Sequence, residues 1–314
     1  MIPRTMCMMG ALCTVLWAQG DSIVPEQGDM SWQTFPTDLP VVAFTPAGRN
    51  VWYAAGGPVV KLNHASMKME MFEKLGSLPA SAVTCMATDR DGNVWIGTSE
   101  GVARRTARGF SDFTAEQGLP DNAVTSIVSK RRGEVWVGTA GGVARYADGK
   151  WTAYTADNGL CNNDVRDLAG DNSGNLWVGT AGGISRFDGS TWTTFNTGNG
   201  LSFSDTKALG YDERKNHLWA AVGESDVNRF DGREWKIFMS IREGITSIMV
   251  DTQSRVWFGS MSGLLKFNGD AWVDDPSKLG ISAAQVSSMY RDAQGNMWFG
   301  TGRGVLYLKN PYPF

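Results

Sequence analysis

Histidine carries most acid–base and metal chemistry near neutral pH, and the 314-residue chain has two. His64 and His217 stand in unrelated surroundings with no partner motif, so neither a Ser-His-Asp triad nor a His-rich metal centre is written here. Cys85 and Cys161 are too isolated for a disulfide framework or a metal site. The run "GTAGG" lacks the G-K-[ST] ending of a phosphate loop and leads into a strand-like segment instead of a helix. "DRDGN" (89–93) resembles the start of a calcium loop, yet other copies read "DNSGN" and "DAQGN", and a hairpin turn accounts for all three. No cofactor motif is present. The more promising residues are Arg166, Lys207, Asp205, Glu224, Asp226 and Arg303, cations and carboxylates that together could hold an anionic or polyhydroxylated ligand. For Arg166 the competing expectation is a salt bridge with Asp167 inside a channel.

These six interrupt a repeated text. "GEVWVGTAGGVARYADGKWTAY" returns forty-one residues later as "GNLWVGTAGGISRFDGSTWTTF", and the tryptophan of its W-x-G-T core recurs at Trp52, Trp95, Trp136, Trp177, Trp219, Trp257 and Trp298. The spacings of 43, 41, 41, 42, 38 and 41 residues mark a repeat architecture that fills the chain from about 32 to 308. In the third copy four β-prone runs alternate with turns: 124–129, 135–139, 143–147 and 151–155. The Asp-Gly dipeptide at 148–149 recurs at 188–189 and 231–232, and as Asn268-Gly269, which suits two-residue hairpins because both positions tolerate positive φ.

A four-stranded sheet of about forty residues cannot cover both its faces, so the copies must pack face to face in a ring. The expected fold is all-β: a seven-bladed β-propeller of four-stranded antiparallel blades. The outer-strand phrase "SWQTF" precedes the first marker, while the last copy stops after its third strand, so the N-terminal strand should complete the last blade and close the ring.

In that ring the seven tryptophans are core, since what every blade contains is what every blade needs. A cation stands nine residues after tryptophan (Lys61, Arg104, Arg145, Arg186, Lys266; Arg229 one later), and an aspartate often precedes it by six (Asp89, Asp171, Asp251, Asp292). Ion pairing within the blade, or bonds to its turns, is expected of both. Function belongs to irregular residues on the blade-joining loops and the loops between second and third strands. Candidates there are Asp121, Asn122, Asn162, Asn163, Asp164, Phe203, Asp205, Arg242 and Glu243 on the first set, and Glu100, Glu224, Asp226 and Arg303 on the second. Near the start of the innermost strand one column reads Val42, Thr84, Thr125, Arg166, Lys207, Thr246 and Ser287, so two adjacent blades place cations at the channel mouth.

Arg4, the apolar run after it and the small residues of "AQG" predict a signal peptide over residues 1–20, then a short segment 21–31 and a propeller over 32–314. The apolar run is shorter than a bilayer span, so no membrane span is expected in the mature chain. The chain is therefore read as exported: periplasmic, at the cell surface or secreted. A formal net charge of −3, with Lys and Arg scattered singly, argues against nucleic acid as a partner.

The pattern V-x-x-I-x-x-D-x-x-G-x-x-W-x-G-T-x-x-G-V-x-R-F, fullest at 165–187 and 286–308, resembles the two-component regulator propeller repeat. The resemblance implies a propeller like the extracytoplasmic sensor portions of hybrid histidine kinases, many of them implicated in polysaccharide sensing. Neither a kinase nor a regulator region is recognisable in this sequence, and two copies depart from the core: "VWYAAGGPVV" in the first and "LWAAVGESDV" in the fifth. The expected function is an exported binding or interaction module for a glycan, small molecule or envelope protein. The alternatives are a lyase or hydrolase similar to the streptogramin B lyases, with Glu224 and Asp226 able to hold a hard cation, or a structural cell-envelope protein.

Overall fold

The computed structural model describes residues 40–55, 57–63, 66, 68–130, 133–240, 244–268, 285–292 and 295–309, together with the backbone of 32–36. The expected signal peptide, His64, Arg242, Glu243 and Gly269 lie outside the described residues.

Among the described residues seven antiparallel sheets form the blades, and a two-stranded ribbon, Lys74–Leu75 with Leu78–Pro79, lies on the loop joining blades 1 and 2. Blade 4 is typical: its strands are Val165–Gly170, Leu176–Thr180, Gly183–Phe187 and Trp192–Phe195, from the channel outward. Six blades show four strands, and among the described residues blade 6 shows three. The N-terminal strand Trp32–Pro36 pairs with Gly304–Leu308 in the register Trp32↔Leu308, so the first strand of the chain is the last strand of blade 7. In blade 3 the four strands fall at Val124–Ser129, Val135–Thr139, Gly142–Ala147 and Lys150–Tyr154, within a residue of the sequence expectation.

The core lies between blades. In each regular blade all five residues of the second strand are buried, as in Leu176–Thr180, because a sheet flanked on both faces has no solvent side. Each of the seven repeat tryptophans is 1–4% exposed and packs on the next blade, Trp136 against Phe187 and Trp177 against Phe230 and Trp235. The glycine of W-x-G-T permits this approach: a Cβ on Gly179 would stand 2.6 Å from Thr206 Cγ2 of blade 5, and one on Gly138 2.6 Å from Val165 Cγ1.

The turns are held by side chains. Asp171 accepts from the Asn175 N–H (2.8 Å), the Asn175 side chain (2.7 Å) and the Trp177 indole N–H (2.9 Å), so one carboxylate caps the first hairpin and orients the core tryptophan. Asp89 and Asp292 do the same for Trp95 and Trp298, which establishes "DRDGN" as a hairpin turn. The cation column shows the expected ion pairing in part and adds a second role in six blades. Register places Trp177 directly across from Arg186, and the guanidinium lies over the indole at 5.6 Å from its centre. Five other blades repeat this stacking, from Lys61 on Trp52 (5.8 Å) to Lys266 on Trp257 (4.8 Å). Only Lys61, Arg104 and Arg145 of the column also pair with a carboxylate in their blade, among the described residues. Asp-Gly turns divide likewise. Asp148 and Gly149 both have positive φ (51° and 77°), whereas in the longer 188–191 loop Asp188 instead accepts from the Ser190 and Thr191 N–H groups.

Candidate functional site

One rim of the ring carries the blade-joining loops and the turns between second and third strands. Backbone bonds stitch the two together: Ala140 N–H donates to Ala123 O, Ala181 to Asp164 O, and Gly223 to Asp205 O (2.7 Å). Three joining loops are short 3-10 turns held by reciprocal side-chain caps, Thr114 with Gln117, Thr155 with Asn158 and Asn196 with Asn199.

Six innermost strands bulge next to their first residue, between Val83 and Cys85, Val124 and Ser126, Val165 and Asp167, Thr206 and Ala208, Ile245 and Ser247, and Val286 and Ser288. The extra residues are Thr84, Thr125, Arg166, Lys207, Thr246 and Ser287, six of the seven members of the column singled out in the sequence. A bulge re-aims the side chain it carries, so these six escape the in-out alternation of the strand. Thr84 Oγ1 donates to Val124 O (2.7 Å), Thr246 Oγ1 to Val286 O (2.6 Å) and Ser287 Oγ to Val41 O, each tying its blade to the next. Thr125, Arg166 and Lys207 make no such bond, and Thr125 Oγ1 is buried without a partner. Over blades 3 to 5 the bulge residues therefore do not tie one blade to the next.

Both cations there are paired with acids two residues earlier. Arg166 Nη2 lies 2.8 Å from Asp164 Oδ2 and Lys207 Nζ 2.5 Å from Asp205 Oδ2, with all four side chains about two-fifths exposed. Asp167 is not the partner of Arg166. The bulge turns Arg166 to the rim and Asp167 inward, where it accepts from Ser126 Oγ (2.9 Å), Leu168 N–H (2.8 Å) and Leu209 N–H (2.8 Å), joining blades 3, 4 and 5. Burial pushes its carboxyl above the usual range despite those bonds.

Blade 5 breaks the repeat where the groove opens. In blade 4 Thr180 Oγ1 donates to Gly183 O (2.8 Å) and accepts from Gly182 N–H (3.1 Å), closing a two-residue turn. In blade 5 Ala221 and Val222 replace Gly-Thr, and the turn between paired Val222 and Asp226 has three residues, Gly223, Glu224 and Ser225. Asp226 stabilises it in place of the threonine by accepting from Ser225 Oγ (3.3 Å) and Ser240 Oγ (2.6 Å). The Ser240 bond foremost holds the Asp226 carboxyl below the usual carboxylate range, so it is charged at neutral pH.

Between this hairpin and blade 6 lies a groove of about 550 Å³. Lys207, Glu224 and Asp226 line it with Thr246, Ile245 and Met261. Three of the six candidates thus meet in one place, and Asp205 joins them through Lys207. Arg166 occupies the equivalent bulge one blade away, and Arg303 sits exposed in the blade 7 turn; neither lines the groove. Sequence reasoning missed Met261, which is 60% exposed where the other regular turns carry Ser99, Ala140, Ala181 and Gly302. A large apolar residue at a small-residue position was the available signal.

His217 opens the second strand of blade 5, and Glu224 follows the other end of that strand. Strand rise of ~3.3 Å per residue puts them on opposite rims. Burial and the Arg229 charge hold the His217 pKa below its ordinary value. Among the described residues no three metal-ligating side chains cluster, and Cys85 and Cys161 are both free thiols, that of Cys85 pushed up to about 12 by burial.

The family described as two component regulator propeller matches residues 77–100, 118–141, 159–182 and 280–303. The chain carries the two-component regulator propeller repeat. Solved structures share the ring. A chain described as the extracellular domain of a hybrid two component system of B. thetaiotaomicron superposes with a TM-score of 0.72 at 22% identity, covering 90% of this chain and 41% of that one. A catalytically inactive virginiamycin B lyase of Staphylococcus aureus with quinupristin gives 0.72 at 17% identity, covering 89% and 99%. YCF48 bound to D1 peptide gives 0.68 at 16% identity, covering 90% and 97%. No curated protein matches this repeat propeller in sequence. At such identities the likeness is one of fold, and site chemistry rests on the residues above.

Proposed function

We propose that this repeat propeller is an exported binding module whose ligand sits on the rim formed by the joining loops and second-to-third-strand turns, in the groove between blades 5 and 6. The observation that carries the reading is the coincidence of irregularities: the lost Gly-Thr pair, the longer turn, the lysine bulge and the exposed Met261 surround one cavity. Residues that a blade does not need for folding are here gathered at a single concave place. Lys207, Glu224 and Asp226 supply its polar contacts, Asp205 holds Lys207, and Arg166 extends the charged rim towards blade 4. Similarity to extracellular domains of two-component systems supports an extracytoplasmic sensing role, with a glycan, small molecule or envelope protein as ligand. YCF48 bound to a peptide supports a polypeptide as one such ligand.

Thermal unfolding of the whole chain against oligosaccharides, peptides, small anions and divalent cations tests this. A ligand at 100 times its Kd stabilises by about 2.7 kcal/mol, a rise of a few degrees. Met261→Trp, which fills the groove, is expected to abolish the rise, and Arg303→Ala to leave it. A rise indifferent to Met261→Trp would place the site elsewhere. The lyase similarity favours a second reading, enzymatic turnover on the same rim, which mass spectrometry of the recovered ligand would reveal as a changed mass.

A further inference from the structure

We infer that the groove between blades 5 and 6 takes an organic cation on an apolar stem, specifically the lysine side chain of an extended peptide. The inference rests on the groove reading above and adds the sign of the ligand's charge. Among the described residues three carboxylates stand at or beside the site, Asp205, Glu224 and Asp226, against one cation, Lys207. That cation is already neutralised, because its ammonium lies 2.5 Å from Asp205. Glu224 is exposed at the tip of the three-residue turn and makes no ion pair among the described residues. Asp226 is 8% exposed and receives two serine hydroxyls, an arrangement that favours its ionised form. An anion entering here would meet two uncompensated negative charges, and a cation would complete them.

The apolar lining sets what the cation is attached to. Ala221, Val222, Ile245 and Met261 form the walls, and Met261 adapts its shape to a neighbouring stem. Phe203, 49% exposed on the loop joining blades 4 and 5, packs beside this hairpin outside the groove lining, with its ring 2.8 Å from where a Cβ on Gly223 would be. A lysine side chain presents the matching profile, four methylenes for the apolar walls and a terminal ammonium for the carboxylates. The groove, at about 550 Å³, has room for residues flanking that lysine. An amino sugar supplies the charge without the stem.

The probe is an N-acetylated, C-amidated, fluorophore-labelled peptide Gly-Leu-Lys-Leu-Gly, with its Nε-acetyl-lysine and glutamate counterparts, measured by anisotropy against the full chain. The lysine peptide is expected to bind at least tenfold more tightly than the acetylated one. Raising the ionic strength from about 0.05 to 0.3 M should weaken it several-fold, because Glu224 is open to screening. Glu224→Gln should lose about five- to tenfold for the lysine peptide only, and Glu224→Lys should reverse the preference towards the glutamate peptide. Unchanged melting of both variants would show that the fold is intact. Equal binding of lysine and acetyl-lysine peptides, indifference to Glu224→Gln, or no binding at all would overturn the inference. If a neutral or anionic ligand is found whose binding Met261→Trp abolishes, the groove reading stands and the cationic one falls. If no ligand responds to Met261→Trp, both fall.

Discussion

In blade 4 the hairpin after Thr180 closes in two residues, with Gly179 allowing blade 5 to approach and Thr180 bonded to both sides of its turn. In blade 5 the corresponding residues are Ala221 and Val222, the turn takes three residues, and a carboxylate with two serine hydroxyls does what the threonine did. The opposite rim differs too. Trp177 donates its indole N–H to Asp171, whereas Trp219 Nε1 is buried without a partner, because blade 5 has a longer first hairpin and its Asp212 caps Arg214 and Lys215 instead. One blade meets the packing requirement and little else. Its neighbour meets it less well and leaves a groove, as expected where a repeat carries a site.

The sharpest way to break this comparison is at the tryptophans, where the two blades should behave alike. Trp177→Ala and Trp219→Ala are each expected to cost about 3–5 kcal/mol in chemical denaturation, and a mild effect at either would mean the core does not run between blades as described. Gly179→Ala comes next: its Cβ would press on Thr206, and overpacking of this kind costs about 1–3 kcal/mol, whereas in blade 5 it is the reverse change, Ala221→Gly, that should destabilise, by about 1 kcal/mol, because it removes a buried methyl. Asp171→Ala leaves the Trp177 indole, the Asn175 amide and a turn N–H without their acceptor, a loss of about 1–3 kcal/mol that has no counterpart to remove at Trp219.

The smallest expected effect is on pH dependence. Burial holds the His217 pKa below its unfolded value, so the unfolded chain takes up a proton first as pH falls below about 6.5. The stability from its neutral form is present above that pH and is lost as pH falls towards the lower folded pKa. His217→Gln should flatten the decline in Tm between about pH 7 and 5, and an unchanged slope would show that His217 does not contribute.

How far the sequence reaches can be read from particular residues. The ring, its seven blades and its N-terminal closure follow from the recurrence of Trp52 through Trp298 and the displaced "SWQTF", because packing demands repeat with the structure. The cation column was visible but its stacking role was not. Pairing of Trp177 with Arg186 depends on the two-residue turn between them, and the guanidinium stacks on the indole while its Nε is buried without a hydrogen-bond partner. The bulge was also hidden. Thr84, Arg166 and Lys207 share a column, but only the register shift shows that these side chains leave the alternation, and it is this shift that parts Arg166 from Asp167. Of the six candidates, the fifth blade's Lys207, Glu224 and Asp226 converge because they interrupt one repeat beside one cavity. Arg303 interrupts a different blade, where the threonine turn is intact.

The central claim is that the irregular hairpin of blade 5 makes the binding site. The most direct measurement replaces residues 221–226 with the Gly-Thr-Ala-Gly-Gly of blade 4 and repeats the ligand-panel melting experiment on both proteins. The expected result is that the graft folds at least as stably as the parent and loses every ligand-induced rise that the parent shows. A graft that folds and keeps those rises, or a parent that responds to no ligand in the panel, would contradict it.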